Sequence, residues 1–245
     1  MTYGVALAMK DGLVMLSDTR TNAGIDNIST FGKMHLYEAT GDRVIALLTA
    51  GNLATSQAVV NLLNEGIERA DGTVETLYTV TSMFKAAQLV GEAIRRIYAI
   101  DGAAMREQNV AFDVSIIIGG QLKNRAMRAF QIYSAGNFIE ATPDTPFLQI
   151  GEHKYGKPIL DRAARFDTDV YDGVKLLLIS MDSTLRSNLT VGMPADLVVY
   201  RRDTLKIELR RRITEEDSYF RMIRDRWSEA LREAYRALPR PTLGV

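Results

Sequence analysis

Hydrophobic and polar residues alternate from Tyr3 to Met9, the alternation breaks at Lys10-Asp11-Gly12, and it resumes from Leu13 to Ser17. Period two on both sides of an Asp-Gly pair predicts a β-hairpin. A polar stretch, Thr21 to Gly32, reads as a loop. Met34 to Glu38 and the apolar run Val44 to Ala50 then flank "ATGDR" as a second hairpin. From Asn52 to Ala70 the period changes: Val59, Leu62, Leu63 and Ile67 recur at three- and four-residue steps, as do Met83, Ala87, Val90, Ile94 and Ile97. That spacing predicts two helices with one face toward a core.

Strand character returns in "FDVSIIIGG", "AMRAFQIYS", "NFIEAT" and "FLQIG", punctuated by Gly, Asn and Pro. "YGKPILDRAAR" and "DGVKLLLISMDSTLRSN" read as a second helical pair, and "ADLVVYRR" and "KIELRRRI" as strands around Asp203-Thr204-Leu205. Thr214 with Asp217 marks a helix start, and Phe220, Ile223, Trp227, Leu231, Ala234 and Leu238 form an apolar stripe up to Pro239. The expected terminal helix spans about 214–238, its stripe covering core or a subunit contact. Strands in hairpins and helices in pairs, without βαβ alternation, predict an α+β fold: a four-layer α-β-β-α sandwich. No linker or repeat interrupts residues 1–245, so one domain is expected.

Composition narrows the chemistry. Thirty basic residues balance thirty acidic ones, so bulk charge offers nothing to nucleic acid or an anionic membrane. The arginine-rich stretch from Arg201 to Arg240 is interleaved with Asp and Glu, as on a solvated helix face. Without cysteine there is no thiolate nucleophile, disulfide or Cys-ligated metal. The two histidines, His35 and His153, stand in no metal-ligand spacing, and no GxSxG motif offers a serine nucleophile. No cofactor or metal is expected. With neither a leader-like start nor a membrane-length apolar run, the sequence reads as a soluble cytoplasmic protein.

The remaining motifs are "SDTR" at Ser17 to Arg20, Lys33 just before the third predicted strand, and "TAGN" at Thr49 to Asn52 on a strand-to-helix turn, with Thr2 behind the initiator methionine. Together they resemble the catalytic β-subunits of the proteasome, members of the N-terminal-nucleophile hydrolases, whose fold is the same four-layer sandwich. "TNAGIDNISTFGKM" and "SMDSTLRSNLTVG" are most similar to the small bacterial branch called Anbu, the ancestral β-subunit group. The resemblance spans essentially the whole chain.

It implies that Thr2 is the nucleophile of an amide hydrolase, its own α-amine serving as base. An α-amine titrates at about 7.7 to 8.0, so a useful fraction is neutral near neutral pH. This requires removal of Met1, for which a small second residue makes a good substrate. Lys33 would lower the hydroxyl pKa and keep the amine neutral, with Asp18 as counter-ion. Taken singly, Lys33 reads equally as a surface lysine and Asp18 as a turn aspartate. Gly51 would turn its N–H toward an oxyanion, although a strand-to-helix glycine is common. Thr21 and Asn22 fall where relatives bind the substrate backbone, and Arg20 would brace that region or form a plain salt bridge.

Two departures from the proteasome pattern stand out. A supporting serine before a glycine is matched by Ala135 before Gly136, and a supporting aspartate by Ser187, with Thr190 in the companion serine position. Slow or narrow activity is the expected result. The substrate implied is a peptide bond; a non-standard amide or isopeptide, or a non-catalytic assembly subunit, are the alternatives. The resemblance also implies a homo-oligomer, a ring or split spiral built by one repeating interface. No Walker motif is present, so use of ATP would fall to a partner such as an unfolding ATPase.

Overall fold

A computed structural model describes residues 2–22 and 28–242; the side chains of Asn22 and Ile28 also lie outside the description. Two five-stranded antiparallel sheets carry the chain. The first takes β1 (Tyr3–Ala8), β2 (Gly12–Asp18), β12 (Phe147–Gly151), β13 (Ala195–Arg201) and β14 (Ile207–Ile213), in the order β12-β1-β2-β13-β14. The second takes β5 (Met34–Ala39), β6 (Arg43–Gly51), β9 (Val114–Leu122), β10 (Arg128–Ile132) and β11 (Phe138–Glu140), in the order β11-β10-β9-β6-β5. Among the described residues there are five helices: α1 (Leu53–Glu65), α2 (Met83–Glu107), α3 (Lys157–Ala163), α4 (Val170–Ser187) and α5 (Ser218–Ala237).

Alternation along the strands sorts the core into three apolar clusters. Ala6, Met15, Ala46, Leu48, Ile117 and Ile150 meet between the sheets. The opposite faces of the same strands turn to helices: Ile45, Leu47, Ile116 and Ile118 pack with Val59, Leu63, Val90 and Ile94 of α1 and α2. Val5, Leu7, Val14 and Leu16 pack with Leu160 of α3, Leu177 and Met181 of α4, and Phe220 of α5. A one-residue slip in any of these strands would exchange the two sides, so register is fixed by burial.

Local signals set most boundaries. Asn52 caps α1 by accepting from Thr55 N, Ser82 caps α2 through Lys85 N, and Asp169 caps α4 through Tyr171 N. Three expectations are corrected. The stretch read as a loop from Thr21 to Gly32 contains a small ladder, β3 (Arg20–Asn22) with β4 (Ile28–Thr30), too short to show a period. Helix α1 ends at Glu65, where Gly66 takes φ +92° and bonds back to Leu62 O, so Ile67 belongs to β7 (Ile67–Glu68) paired with β8 (Val74–Glu75). Helix α5 starts at Ser218, not 214, because Asp217 is its cap, accepting from Phe220 N at 2.9 Å.

The stripe of α5 divides. Phe220 and Ile223 are buried and Trp227 packs partly beneath them, whereas Leu231 and Leu238 are exposed, with Tyr235 beside them. Asp182 of α4, itself buried, pairs with Arg224 of α5 at 2.9 Å and with Arg186 at 3.0 Å, tying the buried end of α5 to the body. Phe220→Ala is expected to cost about 3 kcal/mol through the cavity it leaves, read as a lowered midpoint in urea unfolding. Among the described residues no helix is long and apolar enough to cross a membrane.

Candidate active site

Strand β2 ends at Asp18, whose side chain has no solvent exposure. Its Oδ1 accepts from Lys33 Nζ at 2.8 Å and from the N–H of Tyr3 at 3.1 Å, and its Oδ2 accepts from Gly192 N at 3.3 Å. One carboxylate oxygen thus joins the lysine to the residue that follows Thr2. Lys33 also donates to Arg20 O at 2.6 Å, and its own carbonyl accepts from Thr49 N at 3.0 Å, which holds the lysine against the end of β6.

Burial sets the electrostatics. It pushes the Asp18 carboxyl above its ordinary value despite the pull of Lys33, and it lowers the Lys33 ammonium despite the pull of Asp18. Desolvation is the larger influence on each partner, so each holds the other's charge in a place neither would occupy alone.

Thr2 and Lys33, both almost wholly buried, line one cavity of about 360 Å³ together with Thr21, Thr49, Gly51, Asn52 and Ala54. The cavity lies at the start of α1, where first-turn N–H groups and the helix dipole favour negative charge. Gly51 closes β6 at φ +105°, and a Cβ there would stand 2.4 Å from Asp113 O, so only glycine fits this turn. Asn52 N then bonds Asp113 O at 2.7 Å, fixing the turn to the neighbouring strand segment. The Oγ1 of Thr21 is buried without a hydrogen-bond partner among the described residues. Such a group costs free energy until something donates to it or accepts from it.

The other sequence-predicted residues lie farther out. Arg20 donates to Leu189 O at 3.2 Å and its guanidinium lies over Gly192, where a Cβ would come within 2.1 Å of Nε. Ser187 is exposed at the end of α4 and is not among the described residues lining the cavity. Thr190 is half-buried, with its N–H and hydroxyl directed to Asn188 Oδ1 at 2.8 and 2.5 Å. The Asn22 side chain lies outside the described residues.

The departure read at Ala135-Gly136 falls elsewhere. Gly136 sits in the turn between β10 and β11 against Gly91 of α2. The glycine that touches the first residue is Gly151: at φ +77°, its added Cβ would lie 1.9 Å from Thr2 O, the same oxygen that accepts from Glu152 N at 2.7 Å. Gly151, Gly192 and Tyr3 were missed. The glycine that closes the predicted strand "FLQIG" was the available signal for the first; Gly192 and Tyr3 offered none, since their partners are 174 and 15 residues away.

No protein-family model matches the chain, and a search of curated proteins finds no match. Solved structures do match. An Anbu (Gly-1) mutant from Hyphomicrobium sp. strain MC1 is 51% identical with a TM-score of 0.91, over 99% of this chain and 100% of that one. Anbu from Yersinia bercovieri is 46% identical with a TM-score of 0.90, over 99% and 100%. The helical assembly of the Anbu complex from Pseudomonas aeruginosa contains a chain 48% identical, with a TM-score of 0.91, over 98% of each. Identity of this order across the full length, with the same backbone path, means that the chain belongs to the Anbu (ancestral β-subunit) family of proteasome-like N-terminal-nucleophile hydrolases.

Proposed function

We propose that this protein is an N-terminal threonine hydrolase that cleaves peptide bonds through an acyl-enzyme once Met1 is removed. The observation that carries this reading is the shared cavity: Thr2 and Lys33 line it, and Asp18 Oδ1 bonds both Lys33 and the backbone next to Thr2. The Thr2 hydroxyl attacks the amide carbonyl while its proton passes to the free α-amine. The tetrahedral oxyanion is met by the Gly51 N–H at the positive end of α1. Collapse breaks the C–N bond, and the α-ammonium returns the proton to the leaving amine. Water, deprotonated by the same α-amine, then releases the acyl group as a carboxylic acid.

Lys33 supplies the positive charge that favours the alkoxide and the neutral amine, and Asp18 makes that charge tolerable in the interior. The Thr21 hydroxyl, without a partner among the described residues, and the neighbouring Asn22 take the substrate backbone, and Arg20 braces the 188–192 loop. Ser187 and Thr190 stand in for the proteasome's supporting aspartate and serine, and the weaker support they give makes turnover slow.

The stacking of three apolar clusters supports a four-layer α-β-β-α sandwich. Self-assembly is supported by the helical Pseudomonas relative and by the exposed Leu231, Tyr235 and Leu238 on α5. A peptide and amide library incubated with the Met1-free protein tests the activity. Turnover of at least one peptide is expected, with none by Thr2→Ala. Turnover confined to isopeptides or small amides would shift the substrate class, and retained Met1 with no turnover would support an assembly role.

A further inference from the structure

Tyr3 is fully buried, and both its backbone and its hydroxyl are engaged. Pairing with β12 joins Tyr3 to Gly151, but the ladder with β2 starts only at Gly4, opposite Ser17. At the very end of the strand, one side of the backbone has therefore left the sheet. There the N–H of Tyr3 turns to Asp18 Oδ1.

The side chain fastens the other end. Gln149 Nε2 donates to the Tyr3 hydroxyl at 2.8 Å, that hydroxyl and Ser180 Oγ are 2.6 Å apart, and Ser180 Oγ donates to Gly156 O at 3.0 Å. Proton inventory fixes the direction of the middle bond. The one hydrogen of Ser180 is committed to Gly156 O, so the phenol donates to Ser180. Burial pushes the Tyr3 pKa up to about 12, and the phenol keeps that hydrogen at all ordinary pH. The space around this chain is closed: a Cβ on Gly156 would lie 2.5 Å from the Tyr3 hydroxyl and 2.4 Å from Ser180 Oγ. β12 and α4 thus meet at the Tyr3 hydroxyl, and the residue before α3 is joined to it through Ser180, while the backbone of the same tyrosine touches the counter-ion of Lys33.

We propose that Tyr3 is a positioning residue for the Thr2 nucleophile, its hydroxyl locking the end of β1 to β12, α4 and the turn before α3 so that the threonine stays in register with Lys33. The proposal rests on Thr2 being the nucleophile. It differs from a packing role in what it alters. A ring without its hydroxyl still fills the core, but the strand end is released along the direction in which the nucleophile must be held. Small misplacements of that kind weaken the chemical step more than the binding step.

The test is the labelling kinetics of a β-lactone on the Met1-free protein, resolved into the limiting rate kinact and the half-saturating concentration KI. Tyr3→Phe is expected to lower kinact about tenfold with KI changed less than about twofold. Ser180→Ala, which leaves the first strand intact, is expected to lower kinact in the same direction. Ile223→Ala in α5 serves as a destabilised control and is expected to keep kinact unchanged. Wild-type kinact in Tyr3→Phe would overturn the proposal whatever Ser180→Ala does, as would an equal loss in Ile223→Ala. Absence of labelling in the unsubstituted chain would instead overturn the nucleophile itself, and the positioning claim with it.

Discussion

Asp18→Asn is expected to lower stability by about 3 kcal/mol and to stop acylation, whereas adding Lys33→Met is expected to return most of the stability and none of the activity. The single change leaves the Lys33 ammonium buried with a carbonyl, Arg20 O, and no counter-charge. The double change removes both charges and leaves a flexible apolar stem of similar length in the same space. The pKa directions support this. The raised carboxyl of Asp18 contributes stability below its unfolded value, and that contribution is lost as pH rises through the folded value. The lowered ammonium of Lys33 contributes stability above 10.5, lost as pH falls through its folded value. Both directions have the same cause: the interior favours the neutral form of each group, so the charged pair is held against its own desolvation. Its presence is then explained by the proposed chemistry. Urea unfolding of the wild type, both single variants and the double variant checks the cycle. A double variant no more stable than Asp18→Asn would contradict it.

The second large effect is a bell-shaped pH dependence of acylation. On the proposed mechanism the α-amine must be neutral to accept the Thr2 proton, and Lys33 must be charged to favour the alkoxide. An unperturbed α-amine titrates at about 7.7 to 8.0, and an ammonium across the same cavity favours the neutral amine, so the rising limb lies below that range. Burial lowers Lys33 from 10.5, so the falling limb lies below 10.5. Second-order labelling rates from about pH 6 to pH 11 resolve both limbs. A rate that is flat over this range, or that rises without a fall, contradicts the assigned roles.

Much of this was legible in the sequence wherever the signal was local. The hairpin at Asp11-Gly12 and the core faces of α1 and α2 follow from periodicity, and the Asn52 cap from residue type. Contacts between distant segments were less accessible. Asp18 and Lys33 could be named from the motif, but their shared oxygen with the Tyr3 N–H is a product of strand order, which brings the ends of β1 and β2 together. Tyr3 itself looked like one more alternating core residue. Its hydroxyl partners, Gln149 and Ser180, lie 146 and 177 residues away, and nothing in the pattern of either segment advertises them. The supporting serine-glycine position is read from sequence at Ala135-Gly136, yet Gly136 packs against Gly91 of α2. The glycine that closely approaches Thr2 O is Gly151, at the end of β12. The stripe on α5 was read as continuous, although the body of the protein ends beneath Trp227 and leaves its last turns uncovered.

Peptide mapping of the Met1-free protein after β-lactone treatment tests the nucleophile most directly. The account predicts one adduct per chain, an ester on the Thr2 side chain, absent from Thr2→Ala. An adduct on any other residue, or the same mass gain in Thr2→Ala, would contradict it.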